Sequence, residues 1–395
     1  MYKILFFSFL ALLSSCATSD KMSQNQTEEG HYRLYTYPQK QPPFKQGRFK
    51  RLVIVSSNDF DGNIMPSFYP VKNRFNEKRT IEIGGIAAMR AYLDIFQKKF
   101  PEQVNYVDAG SFLNPQKNHE KTIFLYNYLN PTAVGLGLNE FLLTNAYNEK
   151  NYLNFIQKLS KKTKFPILNS NITYLLSQEQ LQDNGIHSSY ITETNGLKIG
   201  HISALAQDVM QKIPDNNIVG LHVESPAKNI ITHANALRRK GADVIVLMLS
   251  GGIDCTSMQA HELGLAQEKV NFNPQDAMYC HGDGNELFKT LNLLPPKMID
   301  LVISSGHKSK VANFINDIPV IQTPGEGKFL GWAEIFYDTK HKVIASEKTK
   351  IHQPVQLCHQ FFKDTLDCYT NENFDYQELI PALFLGEKVH IKNLP

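Results

Sequence analysis

The sequence lacks a long uninterrupted apolar run, and it lacks an excess of either charge. Its most apolar N-terminal stretch, Ile4 to Leu13, is well short of the roughly 20 residues that a membrane-spanning helix needs. Lysine and arginine total 41 against 38 aspartates and glutamates, a net charge of +3. No basic run and no interleaving of basic and aromatic residues marks a nucleic-acid groove, so a nucleic-acid polymer is not an expected partner. Disorder and fibrous repeats are excluded too. With 42% hydrophobic and 20% charged residues among 395, the chain can bury one large core or two.

What the N-terminus does have is a short leader. "MYKILFFSFLALLSSC" combines a basic start at Lys3, an apolar centre and small residues before Cys16, the pattern of a secretory signal. "LSSC", Leu13 to Cys16, resembles the bacterial lipoprotein cleavage box. The resemblance implies a signal peptide over residues 1–15 and lipidation at Cys16. The chain is then expected to be exported and tethered to a bacterial membrane by lipid, facing the periplasm or the outer membrane. Residues 16–48, polar with a proline cluster, read as the tether.

Four further cysteines remain: Cys255, Cys280, Cys358 and Cys368. An even number in an exported chain favours two disulfides, and nearest neighbours are the expected pairs among three possible pairings. Zinc knuckles use a closer spacing than either pair has.

From residue 50 short apolar strands alternate with amphipathic helices. "RLVIVSS", "QVNYVDAG" and the uniformly apolar "GADVIVLMLSGG" read as strands, the last with both faces covered. In "GGIAAMRAYLDIFQKKF", Ile86, Met89, Leu93, Phe96 and Phe100 recur every three or four residues and mark one helix face. Ser225 and Pro226 open another helix, with Ile230, Ile231, Ala234 and Leu237 on its buried side. "SYITETNGLKIGHISAL" is a hairpin turning at Asn195 and Gly196. The class is α/β with mixed sheets.

Loops beyond the carboxyl ends of such strands carry the chemistry. Read in order they are "NDFDGNI", "IGGIAAMRAYL", "DAGSF", "GLNEF", "VLMLSGG" and "SGHKS". This series resembles the calcineurin-like metallophosphoesterases, in their exported 5'-nucleotidase branch. The resemblance spans about residues 50 to 350 and implies a four-layer αββα sandwich over 49–350. Residues 351–395 then form a disulfide-pinned closing segment in place of the nucleotidases' second domain.

The resemblance also implies where ligands for two divalent ions would stand, and there the residues depart from it. Asp59 keeps the family's identity, and Asp61 stands for a histidine. The bridging aspartate is Ser111, the amide ligand is Leu138, and the histidine that assists the leaving oxygen is Asn139. Two further histidines are Gly251 and Ser309, which leaves His307. Two dications roughly 4 Å apart need a bridging carboxylate and a full ligand set, and a serine hydroxyl cannot supply that charge.

The first expectation is therefore a catalytically inactive scaffold that acts by binding an envelope protein, a glycan or a small ligand. The alternative is a metal-dependent phosphoesterase or nucleotidase with a single manganese, zinc or iron ion held by Asp59, Asp61 and His307. Asp108 and Glu140 are expected to shape loops. "CHGDGNE", with His281 and Asp283, reads as a polar turn, and "GEGKFLG" lacks the spacing of a phosphate loop.

Overall fold

A computed structural model describes residues 47–72, 78–143, 152–179, 185–257, 278–280, 286–362 and 379–381. The leader, Cys16, most of the expected tether, His281, Asp283 and Cys368 lie outside them. Among the described residues no helix is long and apolar enough to cross a membrane.

Two large mixed sheets dominate. The eight-stranded sheet runs Val343–Ile344, Phe329–Asp338, Phe49–Ser57, Val104–Asp108, Ala133–Gly135, Ile167–Leu168 and Ile186–His187, with Lys350–Gln356 also paired to Phe329–Asp338. That last strand lies beyond residue 350, where sequence reading ends the domain, so the sheet extends into the closing segment. The six-stranded sheet runs Val311–Ile315, Ile318–Gln322, Leu301–Ser305, Val244–Ser250, Leu197–Leu205 and Ser189–Thr194. Phe49–Ser57 is parallel to Val104–Asp108 and antiparallel to Phe329–Asp338, which makes the first sheet mixed.

Alternation along the strands builds three apolar layers between four layers of structure. Leu52 and Ile54 point into the layer between the sheets, where they meet Val244, Val246 and Met248. Val53 and Val55 point the other way, against Met89, Leu93 and Phe96 of helix Ile86–Lys99 and Tyr126 of helix His119–Leu129. The second sheet repeats the arrangement. Ile245, Leu247 and Leu249 face outward onto Ile230, Ala234 and Leu237 of helix Pro226–Arg239. Strands covered on both faces read as continuous apolar runs because each side chain has a layer to enter. This is the expected αββα sandwich.

Local expectations mostly hold. Asn195 and Gly196 turn the hairpin with φ of 53° and 63°, the left-handed pair a two-residue hairpin needs. Helix Pro226–Arg239 differs at its start. Ser225 makes no side-chain cap bond, and proline at the first turn does the work of starting the helix.

Candidate functional site

The loops of the motif series leave the carboxyl ends of strands and arrive on the same edge of the sandwich. The loops after Phe49–Ser57 and Val104–Asp108 are zipped together by backbone bonds. Asp59 N donates to Gly110 O at 2.9 Å, Asp61 N to Ser111 O at 3.0 Å and Gly62 N to Phe112 O at 3.0 Å. Asp59, Asp61 and Ser111 hold φ of 48°, 53° and 56°, a left-handed conformation uncommon for residues other than glycine. Cross-loop bonding fixes them in it.

Two buried carboxyl groups anchor this zipper. Glu140, fully buried, accepts from Ser111 N at 2.9 Å, Leu113 N at 3.1 Å and Gly137 N at 2.8 Å. Burial pushes its pKa up to about 8, against the pull of those donors. Asp108 accepts from Tyr126 Oη at 2.6 Å, from Gly110 N at 2.8 Å and from Ser57 Oγ. Its pKa is also raised by burial. Both residues hold loops, as expected.

The residues at ligand positions face different partners from those a metal would demand. Asp59 Oδ2 accepts from Gly306 N at 2.8 Å and from Asn58 Nδ2 at 2.9 Å. Its carboxylate therefore ties the first sheet's loop to the second's rather than capping its own loop. Burial raises its pKa to about 7. Asp61 Oδ1 accepts from Asn139 Nδ2, and Asn139 Nδ2 also donates to Leu113 O at 2.9 Å. Where the family places a histidine able to assist a leaving group, this chain has an amide spent on holding Asp61. Leu138 is partly buried against the first core.

On the second sheet, His307 Nδ1 lies 3.1 Å from Asp254 Oδ2, and Ser309 Oγ donates to Asp254 Oδ1 at 2.6 Å. Gln322 staples these loops from beneath. Its Oε1 accepts from Ile253 N at 3.0 Å, and its Nε2 donates to Ile253 O at 2.9 Å and Ser309 O at 3.1 Å. Gly251 has no room for a side chain, because a Cβ there would lie 2.3 Å from Ala206 Cβ. The histidine position has been filled from the neighbouring loop.

Lysines that sequence reading did not single out stand around Asp61. Lys117 Nζ donates to Asp61 O at 2.8 Å and Asn63 Oδ1 at 2.6 Å. Glu326 accepts from Lys308 Nζ at 2.5 Å and from Lys328 Nζ, which together hold its carboxyl down at about 2. Burial raises the Asp61 carboxyl, while Lys117 and Lys308 pull it back. "GEGKFLG", set aside as a phosphate loop, is thus part of the site: Glu326 N donates to Asp59 O at 2.6 Å. Lysines directly after the "GH" and "GEG" turns were the available signal.

Does a divalent ion fit? Among the described residues no group of three or more histidine, cysteine, aspartate and glutamate side chains is gathered closely enough to hold one. Asp59, Asp61 and His307 stand at the same edge without forming such a group. Ser111 and Leu138 add no charge, Gly251 is closed to any side chain, and the nearby ammonium groups oppose a cation. The donor set does not fit the two-ion centre.

No protein-family profile matches the sequence, and no curated protein matches it. Solved structures do. The chain is similar to the NAD nucleotidase of Haemophilus influenzae at 15% identity and a TM-score of 0.55, over 79% of this chain and 51% of that one. It is similar to the calcineurin-like phosphoesterase YfkN of Bacillus subtilis at 20% identity and a TM-score of 0.53, over 77% and 90%. Thermus thermophilus sulfate thiohydrolase SoxB matches at 13% identity and a TM-score of 0.56, over 80% and 58%. The fold is therefore that of the metallophosphoesterases and 5'-nucleotidases. This chain spans about half the length of the nucleotidases it matches, 51% to 55%.

Proposed function

We propose that the protein is an exported, lipid-anchored envelope protein whose phosphoesterase-like domain is catalytically silent and works by binding. One observation carries the reading: the atoms that would hold ions are engaged elsewhere or walled off. Asn139 is spent on Asp61, Asp59 bridges to Gly306, and Ala206 closes the space at Gly251. Fold likeness by itself decides no activity, since one scaffold hosts many chemistries. The binding partner proposed is an envelope protein, a glycan or a small ligand, and the anchor is lipid on Cys16. Two disulfides belong to the proposal. The backbone register that sets Cys255 opposite Cys280 supports the first of them.

A second reading rests on the free faces of two carboxylates. Asp59 and Asp61 each bond through one oxygen, which leaves the other for a ligand, including a single ion with His307 in a surviving phosphoesterase or nucleotidase. Elemental mass spectrometry of the full chain, after equilibration with manganese, zinc and iron, separates the two together with phosphate-ester assays. The expected result is no stoichiometric metal and no turnover. Stoichiometric metal that disappears in Asp59→Ala and His307→Ala, accompanied by hydrolysis, would replace the first reading with the second.

A further inference from the structure

The chain enters the sandwich at the edge opposite the site. Strand Phe49–Ser57 begins at that edge and delivers Asp59 to the site at its far end, about 30 Å away for a strand of 9 residues. The second sheet shares the entry edge, because Lys50 Nζ donates to Gly196 O at 2.8 Å and Asn195 Nδ2 donates to Arg51 O at 2.9 Å. Residues 16–48 therefore join the domain on the side away from the site.

That edge is basic. Helices Ile86–Lys99, Tyr152–Lys162 and Pro226–Arg239 each run to it before the strands Val104–Asp108, Ile167–Leu168 and Val244–Ser250 begin, and each ends in basic residues, Lys98, Lys161 and Arg239 among them. Cations at helix carboxyl ends offset the helix dipole, which accounts for those three. It does not account for Lys340 and Lys342, exposed on the turn after Phe329–Asp338 where no helix ends. This turn lies against the point of entry, since Thr339 N donates to Arg48 O at 2.9 Å. The exposed acids Glu102, Glu193, Asp317 and Glu347 stand on the same edge and are fewer than the cations, while Asp338 and Asp300 are paired with Arg48 and Arg238. The site edge carries Asp59, Asp61, Asp254 and Glu326 instead. A chain with a net charge of only +3 is thus polarised from edge to edge, and no basic run betrays it because the cations come from separate elements.

We infer that this basic edge is a docking face for anionic phospholipid headgroups, those of the leaflet that holds the lipid on Cys16. Like charges gathered on one face repel one another, and an anionic surface relieves that repulsion while each lysine or arginine near it adds attraction. A lipid chain and a basic patch together anchor more firmly than either alone. Docked in this way, the domain turns its site loops outward, away from the bilayer. The inference goes beyond the reading of the site and holds whether that site binds or catalyses. It uses the proposed anchor only to bring the face to the membrane.

The test is cosedimentation of the full chain with vesicles, in the Cys16→Ala form so that no attached lipid contributes. Vesicles of phosphatidylcholine alone are compared with vesicles that also contain phosphatidylglycerol. Lys240→Glu with Lys340→Glu reverses two exposed charges on the basic edge. Lys121→Glu with Lys212→Glu makes the same change in net charge near the site edge, on exposed residues that follow Val104–Asp108 and Leu197–Leu205. Circular dichroism checks that both pairs fold. The expected result is binding to the phosphatidylglycerol vesicles that falls with added salt, weakens roughly tenfold or more in the first pair and is kept in the second. Equal weakening in both pairs would overturn the inference by assigning the attraction to net charge. Equal binding to phosphatidylcholine alone would overturn it by assigning the contact to the apolar leader, and absence of binding would overturn it outright. None of these outcomes bears on the silent site, and the intact mass of the exported protein reports acylation of Cys16 separately, so a failed face and a failed anchor are told apart.

Discussion

The two sheets hold their halves of the site by different means. On the first sheet a buried carboxyl group does it: Glu140 gathers three backbone amides from two loops. On the second a buried neutral group does it: Gln322 both donates to and accepts from the loops that carry Ile253 and Ser309. Neither residue stands at a position the family uses to ligate an ion. The loops are therefore held by side chains that do not depend on a metal. Asp59, Asp61 and Ser111 sit in left-handed backbone although Ser111 offers no carboxylate to bridge two ions.

The largest effect expected from breaking either staple belongs to Glu140→Ala. It leaves three buried amides without an acceptor, at a cost of about 3 kcal/mol or more in unfolding free energy. Gln322→Ala should cost less, about 2 kcal/mol, because the loops it holds lie nearer solvent where water can replace part of the loss. Urea denaturation of the two variants checks the order. Equal or reversed losses would show that the carboxyl staple has no special weight.

Next in size is Gly251→His, which restores the family's residue on paper. Ala206 occupies the space, so the change overpacks the loop and costs about 1–3 kcal/mol. It should confer no metal binding by elemental mass spectrometry. The paired change Gly251→His with Ala206→Gly should recover stability and still bind no ion, because Ser111, Leu138 and Ser309 contribute no ligand charge. Stoichiometric metal in the paired variant would mean that sterics alone closed the site.

Much of this was legible in the sequence and some was not. The sandwich was, because strands covered on two faces give unbroken apolar runs such as Val244–Ser250, and because helix faces recur at Met89, Leu93 and Phe96. The losses at Ser111, Leu138, Asn139, Gly251 and Ser309 were also visible as residue types in motif order. What replaced them was not. Lys308, Glu326 and Lys328 stand inside the quoted "SGHKS" and "GEGKFLG" stretches, but nothing in the sequence shows which partners they meet, and Ala206, Asp254 and Lys117 reach the site from outside the motifs. Asp59 and the "SGHKS" glycine were both visible, but that Asp59 would accept from the amide of Gly306, 247 residues away, was not.

That bridge between the sheets gives the mildest test of the comparison, a pH dependence. Burial raises the Asp59 carboxyl to about 7 in the folded chain, whereas an unfolded aspartate titrates near about 4. The folded state thus binds the proton more tightly. The stability it contributes is complete below the unfolded value and is lost as pH rises from about 4 through about 7. Asp59→Asn keeps an acceptor for Gly306 N and removes the titration, so its urea midpoint should fall less steeply over that interval. Glu140 and Asp108, raised by the same cause, keep part of the slope in the variant. Identical slopes in the two proteins would mean that water reaches the Asp59 carboxylate. In that case the inter-sheet bridge would be an ordinary surface contact, and the buried staple on the first sheet would have no counterpart at the seam between the two halves.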